Sequence, residues 1–186
     1  MNAQEALAKL KEGNRNYVND TETVDTSASV RSGLVNGQSP YAIVLSCADS
    51  RVLPESIFDS NAGELFVCRV AGNIANTSTI ASIEYAVAHL GTKLIAVLGH
   101  QSCGAVTAAM AGGDNGYNLN HLCAHVAPAI ASTDSMNVND VVKMNAKLNA
   151  KALAERSSII SGALNDGLQI VPAYYSFETG EVNFLD

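Results

Sequence analysis

Four short apolar runs punctuate the chain: YAIVLSC (Tyr41–Cys47), ELFVCRV (Glu64–Val70), KLIAVLGH (Lys93–His100) and LQIVPAYYSF (Leu168–Phe177). They are rich in strand formers and show almost no polar alternation, the pattern of strands covered on both faces in a parallel sheet. Between them the period changes. STIASIEYAVAHLG spaces Ile80, Ile83, Val87 and Leu90 along a helix and ends at Gly91, a stop signal. HQSCGAVTAAMAGG opens a second helix that ends at paired glycines. The stretch from Val138 to Leu164 reads as one long helix, with Val141, Met144, Leu148, Leu153 and Ile160 among its apolar positions. After the fourth run, FETGEVNFL carries a turn signal at Thr179-Gly180 followed by alternation, which predicts a closing hairpin strand. The alternation predicts an α/β fold: a mostly parallel central sheet of four strands plus a C-terminal antiparallel edge strand, with helices on both faces.

The opening segment, MNAQEALAKLKEGNRNYV, reads as a polar amphipathic helix. With the polar stretch from Asp20 to Gln38 it forms an N-terminal helical arm over residues 1–38. No internal repeat, low-complexity tract or linker interrupts the chain, so residues 1–186 are expected to be a single domain, long enough to bury a core without covalent staples. At 47% hydrophobic and 16% charged residues, it is apolar for an isolated subunit, which predicts that a second subunit covers part of its surface. A net charge of −7 argues against nucleic acid as a partner, because such binding rests on Lys and Arg neutralising phosphates. No apolar run approaches the roughly 20 residues needed to span a bilayer, and the first helix lacks the apolar core of a signal peptide. The expectation is a cytoplasmic protein without membrane attachment. Its four Cys are then thiols or metal ligands rather than disulfides.

The chemistry concentrates at strand ends. In AVLGHQSCGAV (Ala96–Val106), His100 and Cys103 lie three residues apart where an apolar run breaks. A metal, a reactive thiol, or an ordinary buried Cys beside an ordinary His would each account for that. Open α/β sheets bind ligands beyond the carboxyl ends of their strands. The first strand ends there with Cys47 in VLSCADSR and the third with His100 in VLGHQSC, while Cys103 follows His100 by one helical turn. A Cys₂His set suits zinc, and three protein ligands leave the fourth position open, as in catalytic zinc sites. An isolated H-x-x-C is weak evidence, but Cys47 comes from an independent part of the chain. Asp49 and Arg51, two apart at a turn, can pair and hold a carboxylate beside the metal; alone, such a pair is commonly a surface ion pair. No C-x-x-C is present, which disfavours a redox-thiol protein.

CADSRVLPESIFD, GELFVCRVAGN, SIEYAVAHLG and GHQSCGAV, in this order, resemble the β-class carbonic anhydrases and in particular their plant-like, open-site branch. The similarity runs from LKEGNRNYV to YYSFETGEVNFL, nearly the whole chain. The resemblance implies a lyase that reversibly hydrates CO₂ to bicarbonate and a proton, with one Zn²⁺ per subunit on Cys47, His100 and Cys103. It implies a dyad of Asp49 and Arg51, the held carboxylate orienting zinc-borne hydroxide for its attack on CO₂. Gln38, nine residues before Cys47, is implied to bind the CO₂ or bicarbonate oxygen. Phe66 and Tyr85 match pocket aromatics, and Ala71 and Gly104 match small wall positions; for Phe66, packing in the core is an equal alternative. His89, one helical turn after Tyr85, is the candidate proton shuttle, against a plain surface or packing role.

The family pairs its subunits through the helical arm and strand edges, and each pocket takes part of its wall from the neighbour. A homodimer is therefore the implied minimum, and a tetramer the larger alternative. The same site in the family also supports hydrolysis of carbonyl sulfide or carbon disulfide. A non-catalytic zinc-binding subunit is the remaining alternative, which the intact Asp49, Arg51 and Gln38 set opposes. The chain departs from the family at Ala48, where Ser is commoner, and at Val70, where Asn is common; Val70 bears on pocket polarity. Part of the family closes its Asp onto zinc with help from a bicarbonate pocket built around a Trp. Val44 stands at that position and the chain has no Trp, so Asp49 is expected to stay with Arg51 at neutral pH and above. Cys68 is expected to be a buried structural thiol. HLCAH places His121, Cys123 and His125 on one helix; the His pair could bind a metal, but no third ligand is evident, and an entrance-side helix is the expectation.

Overall fold

The computed structural model describes residues 1–186. The apolar runs form β1 (Ala42–Ser46), β2 (Leu65–Arg69), β3 (Leu94–His100) and β4 (Gln169–Tyr175), and the closing hairpin strand is β5 (Val182–Phe184). The sheet order is β2-β1-β3-β4-β5, with every pair parallel except β4 and β5. β1 and β3 are buried at every position, which explains their unbroken apolar sequence. The chain runs from β1 outward to β2 and then crosses back to β3 on the other side. The loops leaving β1 and β3 therefore diverge, and a crevice opens at their carboxyl ends.

Helices cover both faces. α1 (Ala3–Val18) opens with a capping box between Asn2 and Glu5, and buries Ala3, Ala6 and Leu10. Two short helices, α2 (Ala28–Gly33), inside the N-terminal arm, and α3 (Pro54–Ile57), carry too few turns at six and four residues to show a hydrophobic period. α4 (Thr77–Leu90) starts at the Asn76 cap and stops at Gly91, whose φ of 67° is the left-handed turn expected there. α5 (Gly104–Ala111) and α6 (Tyr117–Ala131) follow β3. The long helix expected over Val138–Leu164 is instead two, α7 (Val138–Arg156) and α8 (Ser158–Leu164). Ser157 separates them in extended conformation. Its hydroxyl accepts the Ile160 N–H and donates to Glu84, a helix-start signal hidden inside an apolar pattern.

One face of the sheet packs Ala42, Val44, Ala96 and Leu98 against Ala6, Leu10, Ile57 and Phe58. The other packs Ile43, Leu45, Ile95 and Val97 against Ile80, Ile83, Ala146, Leu153 and Ile160. Each large aliphatic side chain so buried is worth about 1.5–3 kcal/mol. A third cluster, with Val106, Val126, Val141 and Val142, encloses Cys47 and Cys103 at the carboxyl end of the sheet. On α7 the apolar positions Val141 and Leu153 are buried, while Asn145 and Asn149 share the inward face and Met144 and Leu148 sit on its flank. No helix is long and apolar enough to cross a membrane.

Candidate metal centre

Cys47 is the first residue after β1, His100 the last of β3, and Cys103 the N-cap of α5. All three are buried, and their ligand atoms lie within 4.8 Å of one another. The two Sγ atoms are 4.0 Å apart, against about 3.8 Å for two thiolates on a tetrahedral zinc with bonds of about 2.3 Å. The His100 Nδ1–H donates to the Gln101 carbonyl at 3.0 Å, so the lone pair is on Nε2. That nitrogen is fully buried and has no hydrogen-bond partner. An orphan of this kind costs about 1–3 kcal/mol unless something satisfies it. Two thiols and a bare imidazole nitrogen facing one point fit a zinc ion.

The local electrostatics favour a thiolate. The Cys47 thiol is pulled well below its ordinary range, chiefly by the hydrogen bond from Cys103 and further by His100, against the opposing effect of burial. The amides of Asp49 and Gly72 also donate to its sulfur, at 3.4 and 3.3 Å. Cys103 is pushed up by the same partnership and by burial, so between them the pair keeps one proton, which a metal would release. Gly72 can aim its N–H because it sits at φ 70° in a tight turn over Ala71–Asn73. Asn145 and Asn149 hold this irregular stretch. Asn145 donates to the Gly72 carbonyl at 2.8 Å, and Asn149 accepts the Ala75 N–H at 2.6 Å.

Asp49 and Arg51 meet as expected. Arg51 donates from Nε to Oδ1 at 2.9 Å and from Nη2 to Oδ2 at 2.8 Å, and its backbone N–H adds a third bond at 3.0 Å. These bonds hold the Asp49 carboxyl well below the usual range. Oδ2 lies 3.9 Å from His100 Nε2, so the carboxylate borders the point the ligands face. Two neighbours were not singled out from the sequence. Arg69, at the end of β2, donates to the carbonyls of Cys47 at 3.0 Å and Asp49 at 2.6 Å. Its signal was present: an Arg closing an apolar strand at the same edge as Cys47. The other is Phe177, whose ring lies 4.4 Å from the Arg51 guanidinium carbon. Nothing local marked it, since Gln101, His100 and Arg51, the residues that join it to the centre, lie at least 76 positions away in sequence.

The remaining predicted site residues divide into two groups. Ala71 opens the turn that carries Gly72, and Gly104 follows Cys103, so both border the centre. Gln38, Phe66 and Tyr85 lie elsewhere. Phe66 pairs with Ile43, four residues before Cys47 and hence about 13 Å back along the strand. Its ring meets Tyr85 at 6.2 Å, and Tyr85 meets His89 at 5.2 Å. Tyr85 is 48% exposed, and with Gln38, Leu34, Val35 and Leu90 it borders an open hollow. His89 is exposed at the end of α4. Cys68 is half-buried, its thiol pushed up to about 11 by burial. His121 and His125 meet edge to face at 5.2 Å on α6 without a third candidate ligand; Cys47, His100 and Cys103 are the sole group of three.

A parallel sheet that presents a buried Cys₂His set where its two central strands end, with a carboxylate beside it, defines a zinc enzyme. The carbonic anhydrase family profile matches residues 42–182. Over 190 residues the chain is 37% identical to carbonic anhydrase 2 of Mycobacterium tuberculosis, covering 97% of this chain and 92% of that protein. It is 35% identical over 187 residues to the carbonic anhydrase of Mycolicibacterium smegmatis, covering 95% and 90%. Among solved structures it resembles the β-carbonic anhydrase CafA of Aspergillus fumigatus, with a TM-score of 0.75 at 27% identity over 98% of this chain and 90% of that one. It also resembles the Coccomyxa β-carbonic anhydrase in complex with acetazolamide, with a TM-score of 0.74 at 27% identity over 96% and 86%. The chain belongs to the β-carbonic anhydrases, and Cys47, His100 and Cys103 are its zinc site.

Proposed function

We propose that this carbonic anhydrase hydrates CO₂ reversibly to bicarbonate and a proton, with Asp49 and Arg51 as its orienting dyad and an open site of the plant-like kind. When bound, zinc supplies the Lewis acidity that brings the pKa of a water towards about 7. Asp49 would accept a hydrogen bond from the attacking oxygen and so fix which lone pair meets CO₂. Arg51 keeps the carboxylate ionised and turned to that task. The observation that carries this reading is the two-pronged Arg51–Asp49 contact with Oδ2 3.9 Å from His100 Nε2. The same contact engages both carboxylate oxygens, which supports the open form.

A second copy of the chain completes the pocket. Within one chain, Gln38, Phe66 and Tyr85 cluster away from the zinc ligands, beside β2, one of the two edge strands of the sheet. Pairing of two copies along that edge would present this cluster to the partner's zinc site: Gln38 to hold a CO₂ or bicarbonate oxygen, Phe66 and Tyr85 to line an apolar pocket for CO₂. His89, stacked on Tyr85, would then lie at the pocket and carry the product proton outward. A homodimer is the minimum, and a similar structure from Sordaria macrospora is described as tetrameric. Cys68 and Cys123, thiols outside the zinc site, support a cytoplasmic location.

Stopped-flow CO₂ hydration on zinc-loaded protein, with carbonyl sulfide as a parallel substrate, tests the reading. CO₂ is expected to turn over faster, and Asp49→Ala to lower the rate while keeping zinc. Zinc-loaded protein that leaves CO₂ unchanged would refute it, as would an Asp49→Ala variant as fast as the parent.

A further inference from the structure

We infer that Phe177 is a positioning residue for Arg51, anchored in place by the Gln101 side chain; this rests on the Asp49–Arg51 dyad proposed above. Phe177 lies in the turn between β4 and β5, far in sequence from the residues it touches. The Arg51 guanidinium carbon sits 4.4 Å from the centre of its ring, within cation–π range. The His100 ring meets the same phenyl at 5.5 Å in an edge-on arrangement, and Tyr175 supports it at 5.2 Å. One aromatic side chain thus touches the cation of the dyad and a zinc ligand together.

Arg51 needs such a partner. Its side chain is 54% exposed, and a guanidinium on a flexible stem would otherwise divide its time between Asp49 and water. The phenyl face restricts the guanidinium to the orientation from which both its Nε and Nη2 reach the carboxylate. Dispersion and the ring quadrupole act together here, and a branched aliphatic chain of similar volume would supply only the first.

The ring is itself held. Gln101 Oε1 accepts the backbone N–H of Phe177 at 2.9 Å and that of Glu178 at 3.2 Å, and the Gln101 N–H donates to the Tyr175 carbonyl at 2.8 Å. The carbonyl of this same residue takes the Nδ1–H of His100. Gln101, between the two ligands of the H-x-x-C motif, therefore ties the zinc-ligand ring and the Phe177 turn into one rigid unit. The second position of that motif does work that its ligand spacing alone does not reveal.

The test is a double-mutant cycle on zinc-loaded protein, pairing Phe177→Leu with Arg51→Ala and including Phe177→Tyr as the variant that keeps the ring. Zinc content and thermal melting are measured beside kcat and KM for CO₂ hydration. Phe177→Leu is expected to lower kcat about two- to fivefold with full zinc, the range of a cation–π contact at an exposed site. Phe177→Tyr should restore the rate, and Phe177→Leu should cost nothing further once Arg51 is Ala. If Arg51→Ala slows the enzyme but Phe177→Leu carries the same penalty with and without Arg51, the inference is overturned and the dyad stands. If Arg51→Ala leaves the rate untouched, the dyad reading falls and takes this inference with it. Should Phe177→Leu fail to fold, Gln101→Leu frees the turn without altering the ring, and the same cycle with Arg51→Ala decides.

Discussion

Arg69→Ala tests whether the loop after β1 is held from outside itself. The substitution removes two hydrogen bonds, to the Cys47 carbonyl at 3.0 Å and to the Asp49 carbonyl at 2.6 Å. A hydrogen bond from a charged donor is worth about 1.5–3 kcal/mol. The Asp49 bond is exposed, so water can take it over, and the half-buried Cys47 bond carries most of the loss. Because Arg69 itself reaches solvent, the lower figure applies. About 1.5 kcal/mol corresponds to roughly a tenfold change, the lower end of the range seen when supports of metal ligands are removed. The loss should fall on zinc affinity, since Cys47 and Asp49 lie on the released segment while β1 stays locked between β2 and β3. Competition with a chromophoric chelator at fixed pH reads the affinity, and circular dichroism confirms the fold. Arg69→Lys, with one compact donor head, should recover only part of the loss. Zinc affinity within twofold of the parent in Arg69→Ala would show that the loop holds itself.

The ligand set is checked by Cys47→Ser, His100→Ala and Cys103→Ser, each of which should weaken zinc binding by more than about 100-fold and abolish turnover with it; metal analysis showing full occupancy in any of them would break the assignment. Gln38→Ala should keep zinc and lose CO₂ turnover, and because the residue acts across the proposed dimer, the loss should appear in the assembled form; an unchanged kcat/KM would place Gln38 outside the pocket. Burial pushes the Tyr41 hydroxyl up to about 12, against a partial counter-effect from its hydrogen bond with Ser60. The unfolded phenol loses its proton near 10 while the folded one keeps it, so stability should fall as pH rises from 10 to 12, by up to about 3 kcal/mol. Denaturant midpoints across that window measure the slope, which Tyr41→Phe should lessen by one proton's share; an identical slope would contradict the burial argument.

By itself the sequence determined the four parallel strands, the closing hairpin, the Gly91 stop and the zinc ligands. The reason is that these depend on local signals. Strands buried on both faces must be apolar throughout, and chemistry in an open α/β sheet collects where its strands end. Cys47, His100 and Cys103 could therefore be joined without knowing the strand order. Tertiary structure alone decided the rest. Ser157 split one apolar helical pattern because its hydroxyl could cap the Ile160 N–H and reach Glu84 across the fold. Asn145 and Asn149 take inward positions on α7, with Met144 and Leu148 on its flank, because they satisfy the Gly72 carbonyl and the Ala75 N–H of the irregular stretch after β2. Arg69 and Phe177 acquired their roles only once β2 and the β4–β5 turn were brought to the crevice. A residue's period and its neighbours in sequence state what it prefers. Which backbone groups lack partners, and which side chain lies close enough to supply them, is settled only when distant segments pack.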